Sequence, residues 1–142
     1  MTTFTVPSGV GTSANPVIGV AAGDYYTVAF LADGSVVRWG LDDDRGQFDV
    51  PIGIGTPENP VVAISTSDYH TVARLADGSV ACWGENSYGQ CDVPSGVGTP
   101  ENPVTGVAAG WRHTVALLAD GSVACWGWNA DGQCDTPSNI LS

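Results

Sequence analysis

Four cysteines, two histidines and a run of three aspartates are the residues of this 142-residue chain whose types suit redox, metal or acid–base chemistry. Cys82 and Cys91 flank one loop and Cys125 and Cys134 flank its copy, both within Cys-Trp-Gly-x-Asn-x-x-Gly-Gln-Cys; an earlier copy replaces both members, with Arg38 and Phe48. That joint replacement points to cysteines paired across neighbouring strands, each bridge closing a short loop. The other reading is two buried, reduced thiols acting as small hydrophobes. Zinc and iron–sulfur sites favour closer Cys-x-x-Cys spacing, so no metal is expected. His70 and His113 occupy one repeat position, where the earlier copy has Tyr26. No Gly-x-Ser-x-Gly or comparable nucleophile motif accompanies them, so they read as structural, hydrogen-bonding inside each repeat rather than catalysing. Asp42-Asp43-Asp44 lacks the spaced oxygen ligands and distal Glu of a calcium loop and reads as a solvated acidic turn. The expectation is a chain with no catalytic residue, no cofactor and no metal.

Charge narrows the partners. Fifteen acidic residues face four arginines and no lysine, a formal net charge of −11. Such a chain repels phosphate backbones and anionic headgroups, so neither nucleic acid nor membrane is an expected partner. No apolar run approaches the roughly 18 residues of a spanning helix, and Met-Thr-Thr-Phe-Thr-Val lacks the basic start and apolar core of a signal peptide. The compartment is left unassigned.

These residues sit in a repeat. Ala32-Asp33-Gly34-Ser35-Val36 recurs at 76–80 and 119–123, and Trp39-Gly40 recurs at 83–84 and 126–127, a period of 44 and then 43 residues. The one-residue difference falls in Leu41 to Arg45, against Glu85 to Tyr88 and Trp128 to Asp131, which marks these segments as loops. Gly-Gln-x-Asp-x-Pro ends each unit, at 46–51, 89–94 and 132–137, and Phe4-Thr5-Val6-Pro7 is a partial further copy.

Each unit predicts four short strands: in the last, Val104 to Ala109, His113 to Leu118, Ser122 to Trp126 and Gln133 to Thr136. All are β-branched or apolar and are parted by Gly, Asp, Asn or Pro, and no segment sustains a helical period. Asp-Gly at 33–34, 77–78 and 120–121 is hairpin-turn chemistry. Four antiparallel strands every 40–50 residues make a β-propeller blade. The fold expected is therefore all-β, with an N-terminal extra outer strand and connector over 1–16, blades over 17–51 and 52–94, and a third blade with its tail over 95–142. Trp39, Trp83 and Trp126 hold one strand position and are expected in the core.

The run from Val107 to Gln133, Val-Ala-Ala-Gly-x-x-His-Thr-Val-Ala-Leu-x-Ala-Asp-Gly-Ser-Val-x-x-Trp-Gly-x-Asn-x-x-Gly-Gln, resembles the repeat of the regulator of chromosome condensation family. The resemblance covers nearly the whole chain and implies a propeller, since family members look like seven-bladed rings. They include the chromatin-bound exchange factor for the GTPase Ran and secreted bacterial inhibitors of β-lactamases. The short Asp-Val-Pro-Ser-Gly connector is closer to the inhibitor-like members. Four arginines supply no counterpart of the exchange factor's basic surface, and the chain has three repeats.

Three blades do not close a ring, and their open edges invite pairing with another chain. A homodimer of six blades is favoured and a homotrimer of nine is the alternative. Strand alternation places the turn after strand one and the loop after strand three on one end of the blades, and the Asp-Gly turn with the Pro-rich crossing on the other. The second end is nearly constant between copies, whereas the first diverges and carries aromatics and Arg, the residue types of interface hot spots. Tyr25, Tyr69, Tyr88, Trp111, Arg112 and Trp128 are the partner-binding candidates. The function expected is a non-enzymatic scaffold that self-assembles and binds a protein through this loop face. The alternatives are a ring binding a glycan or nucleotide, and a designed or excised repeat fragment whose property is self-assembly.

Overall fold

The computed structural model describes residues 10–23, 26–40, 50–67 and 69–135. All regular structure among them is β. Nine strands form three separate antiparallel sheets: β1 (Val17–Ala22), β2 (Tyr26–Leu31) and β3 (Val36–Gly40); β4 (Val61–Thr66), β5 (His70–Leu75) and β6 (Val80–Gly84); β7 (Val104–Ala109), β8 (His113–Leu118) and β9 (Val123–Gly127). Each sheet is an up-and-down meander with the same register. Thr27 pairs with Trp39, Thr71 with Trp83 and Thr114 with Trp126, and each first strand carries an irregularity after its opening valine. No helix among the described residues is long and apolar enough to cross a membrane.

Local chemistry explains the repetition. In the turn between the second and third strands, the Asp77 carboxylate accepts from the Ser79 backbone N–H at 2.9 Å and from its hydroxyl, and Asn59 Oδ1 accepts the Asp77 N–H at 3.0 Å. Asp33 with Ser35 and Asn15, and Asp120 with Ser122 and Asn102, make the same contacts, so the Pro-rich crossing is tied to the turn at that end of each blade. Hydrogen bonds from Ser35, Ser79 and Ser122 hold the three aspartate carboxyls below the usual carboxylate range. Gly78 takes φ +88° there, and an added Cβ would overlap Pro103. No other residue type meets both demands.

The predicted fourth strand does not form at Gly89 to Val93 or at Gly132 to Asp135, and among the described residues each sheet has three strands. Side chains take the backbone groups a ladder would use. Asn86 Oδ1 accepts the Cys91 N–H at 2.8 Å and Gln90 Oε1 accepts the Tyr88 N–H at 2.9 Å, while Asn129 and Gln133 do the same for Cys134 and Asp131. Asn and Gln compete with sheet pairing in this way, and the segment curls into consecutive turns. Phe4 to Pro7, Gln47 to Asp49 and Thr136 lie outside the described residues.

Blades stack through their faces. Face-sharing follows the register: Val61, Ala73 and Trp83 look back toward the first blade, where they meet Phe30, and Val104, Ala116 and Trp126 look back toward the second, where Val80, Val93 and Val97 pack on them. Ile64 also reaches back, onto Tyr26 and Val28, where Val36 packs too. Trp83 and Trp126 are buried as expected, whereas Trp39, on the face that no blade covers, is only partly so.

Candidate functional site

The loop end of the second and third blades is built by a repeated backbone bond. The Trp128 N–H donates to the Arg112 carbonyl at 2.8 Å and the Glu85 N–H to the Tyr69 carbonyl at 2.8 Å, so the turn after the first strand and the loop after the third lie side by side. The sequence expectation for that end therefore holds.

On it, Arg112 stands among three aromatic rings. Its guanidinium carbon lies 4.0 Å from the Trp111 ring centre, 4.6 Å from Tyr88 and 5.8 Å from Trp128. Arg112 Nη1 donates to the Tyr88 hydroxyl at 2.8 Å, and Tyr88 meets Trp128 edge to face with centroids 4.6 Å apart. Cation–π contact and this hydrogen bond hold the cation; among the described residues no carboxylate pairs with it, and its buried Nε has no hydrogen-bond partner. Two blades contribute, since Tyr88 follows β6 and the other three residues belong to the third repeat. The result is an aromatic surface held by mutual contacts, with Trp111 59% exposed.

Four of the six partner-binding candidates thus come together. Tyr69 lies at the same end, 38% exposed, but makes none of these contacts. Tyr25 lies outside the described residues.

The cysteine copies differ in state. Cys125 and Cys134 form a disulfide, whereas Cys82 and Cys91 are free thiols with their sulfurs 3.0 Å apart. The hydrogen bond to Cys91, then burial, pushes the Cys82 thiol far above its ordinary value, which suits a proton retained between two sulfurs. Among the described residues no group of acids, histidines and cysteines could hold a metal ion.

His70 bonds both inside its own blade and across to the next, whereas the His113 ring makes no hydrogen bond among the described residues. His70 is fully buried; its Nδ1 meets Ser67 Oγ at 2.7 Å and its Nε2 meets Thr114 Oγ1 of the next blade at 3.0 Å. Thr114 donates its own proton to the Gln90 carbonyl at 2.7 Å, so Nε2 must carry the hydrogen and Nδ1 must accept from Ser67. Burial, then the neighbouring His113, pushes the His70 pKa down to about 4, which keeps it neutral. The Gln90 carbonyl also accepts the Trp126 indole N–H at 2.9 Å. Gln90, Thr114 and Ser67 carry no motif of their own; the recurrence of Thr27, Thr71 and Thr114 at one repeat position is the available signal.

The family's repeat decides what this stacking belongs to: the regulator of chromosome condensation (RCC1) repeat matches residues 61–90 and 104–133, and a second form of it matches 77–117. The chain belongs to the RCC1 repeat family. No curated protein sequence matches it. Solved structures do. Human WBSCR16 is 24% identical with a TM-score of 0.66 and is covered over 36% of its chain by 89% of this one. Prp20p from Saccharomyces cerevisiae, described with its binding to Gsp1p and histones, is 22% identical with a TM-score of 0.66, covered over 34% by 91% of this chain. The ectodomain of the Arabidopsis thaliana receptor kinase ACR4 is 26% identical with a TM-score of 0.56, covered over 36% by 79% of this chain. The RCC1 chain here spans about a third of the length of each, and the likeness is one of fold.

Proposed function

We propose that this RCC1-repeat chain is a non-enzymatic scaffold that assembles with itself into a ring and binds a protein partner through the loop end carrying Trp111, Arg112, Tyr88 and Trp128. The observation behind this reading is the Arg112 cluster: a cation held by three rings and a hydroxyl, pre-ordered, with an indole largely in solvent. Rigid Trp, Tyr and Arg anchors are the residues that dominate protein interfaces, because they bury large area at small entropic cost. The positions also differ between repeats while the opposite end is nearly constant, so packing does not dictate them. Protein binding is on record for the fold neighbour Prp20p, whose structures are described with Gsp1p, histones and Kap60.

The test is selection of a random peptide library on the wild-type chain, followed by binding measurements on Trp111→Ala and Trp128→Ala. The expected result is enriched peptides that lose about 2 kcal/mol, roughly 30-fold, on each variant. Failure to enrich any peptide, or variants that bind the enriched peptides as tightly as wild type does, contradicts the reading.

A further inference from the structure

The contact between the second and third blades has two halves, and both recur, unused, at the outer faces of the chain. One half is a side-chain donor from the earlier blade, His70 Nε2–H, with the carbonyl of Gln90 that closes that blade. The other half is the pair Thr114 and Trp126 of the later blade, whose hydroxyl and indole N–H both end on that carbonyl. Between the first and second blades Tyr26 holds the place of His70, its hydroxyl 3.3 Å from Thr71 Oγ1 and donating to the Ser67 and His70 carbonyls at 3.1 and 3.2 Å.

His113 and Gln133 are the next members of the first series, and Thr27 and Trp39 are the first members of the second. Their exposure separates them from their counterparts. Thr71 and Thr114 are buried but Thr27 is partly open; Trp83 and Trp126 are buried but Trp39 is not; His70 and Tyr26 are buried but His113 is not. Among the described residues neither the His113 ring nor the Thr27 hydroxyl has a hydrogen-bond partner.

The apolar surroundings match too. Ile64 seats on Tyr26 and Val28, with Val36 packed on the same pair, and its counterpart in the first blade, Val20, is 68% exposed, with no blade among the described residues to seat on. The counterparts of that seat in the third blade are His113, Val115 and Val123. Leu117, on the same face, is 45% exposed where its counterpart Phe30 is buried. A shallow apolar hollow of about 240 Å³ lies on that face, lined by Gly106, Val107, Ala108, Val115 and Leu117.

We infer that the third blade docks the first blade of a second copy of this chain, with His113 Nε2–H donating to Thr27 Oγ1, and Thr27 and Trp39 donating to the Gln133 carbonyl. This rests on the self-assembly proposed above and supplies its contact. A second copy is the occupant because its first blade carries the same Thr, Trp and apolar residues, in the same register, that this chain's own later blades present to their predecessors. Joining both ends in this way makes a closed ring of six blades from two chains, within the four to eight that close propellers.

The experiment is the dissociation constant of the full chain by sedimentation across dilution, for wild type, Thr27→Val, His113→Phe, His113→Tyr and the double variant Thr27→Val/His113→Phe. A reversible dimer is expected, weakened at least 10-fold by Thr27→Val and by His113→Phe. His113→Tyr should retain it, because Tyr26 already serves that position toward Thr71. The double variant should lose less than the product of the two single losses, the mark of a direct pair. A wild-type chain that stays monomeric overturns both the assembly and its contact. A dimer indifferent to Thr27→Val and His113→Phe leaves the assembly standing and overturns this contact.

Discussion

His70 and Thr114, 44 residues apart in sequence, meet at 3.0 Å between Nε2 and Oγ1 and join the second blade to the third. The bond is one link of a buried chain, Ser67 to His70 to Thr114 to the Gln90 carbonyl, in which every proton has an assigned direction. Fully satisfied buried networks hold a register, because any slip strands a polar group without water.

Thr114→Val should therefore destabilise the fold by about 1–3 kcal/mol, since it leaves the His70 N–H without an acceptor while conserving shape. Chemical denaturation of wild type and variant measures it. A loss within error of zero would mean that the network contributes nothing to stability.

Acid should weaken the same joint. His70 has an ordinary pKa of 6.5 and is held at about 4, so between these values the unfolded chain binds more protons than the folded one. Its contribution is present above pH 6.5 and is lost as pH falls toward 4, up to about 3 kcal/mol. His113 is the neighbouring titratable group that lowers it further, and the Tyr26 hydroxyl lies on the His70 carbonyl. Denaturation across pH 4–7 should show this fall in wild type and its disappearance in His70→Gln. The aspartates at the Asp-Gly turns act in a separate window, below pH 3.8, because their carboxyls are lowered from that value.

The two cysteine pairs should behave differently. Thiol titration of the unreduced, denatured chain is expected to find Cys82 and Cys91 and not Cys125 or Cys134. In the folded chain Cys82 should alkylate slowly at pH 8, its thiol raised by Cys91 and by burial. Cys125→Ser/Cys134→Ser should cost about 2–3 kcal/mol, the loop-closure entropy of a bridge spanning so few residues. Four reactive thiols in the unreduced chain would contradict the assignment.

Most of the fold was legible because its signals are local. Asp-Gly-Ser carries its own turn, the Asp side chain bonding two residues ahead, and the Gly in positive φ is specified by type alone. The meeting of Arg112 with Trp111, Tyr88 and Trp128 was legible one step removed, as the loop positions at which repeats disagree. The missing fourth strand was not legible. Gln90 and Gln133 alternate with their neighbours as strand residues do, and only the reach of Asn86 and Asn129 back to backbone N–H groups shows that side chains have replaced the ladder. The blade-to-blade bonds were hidden for another reason. A histidine alone looks alike whether its partner is in its own sheet or one repeat on, and distance along the chain carries no such information.

Surface variants at the loop end should leave the fold intact. Trp111→Ala removes a ring that is 59% exposed and is expected to change stability by no more than about 0.5 kcal/mol, while freeing Arg112 from its closest stacking partner. Thermal unfolding checks the first point. Loss of cooperative unfolding would assign Trp111 to the core instead.

Continuation of the blade-to-blade contact from one chain into the next sets the absolute mass of the wild-type chain in solution, which light scattering across a hundredfold dilution measures. Twice 14.5 kDa is expected at the upper concentrations, falling only on dilution. A mass of 14.5 kDa throughout would contradict it.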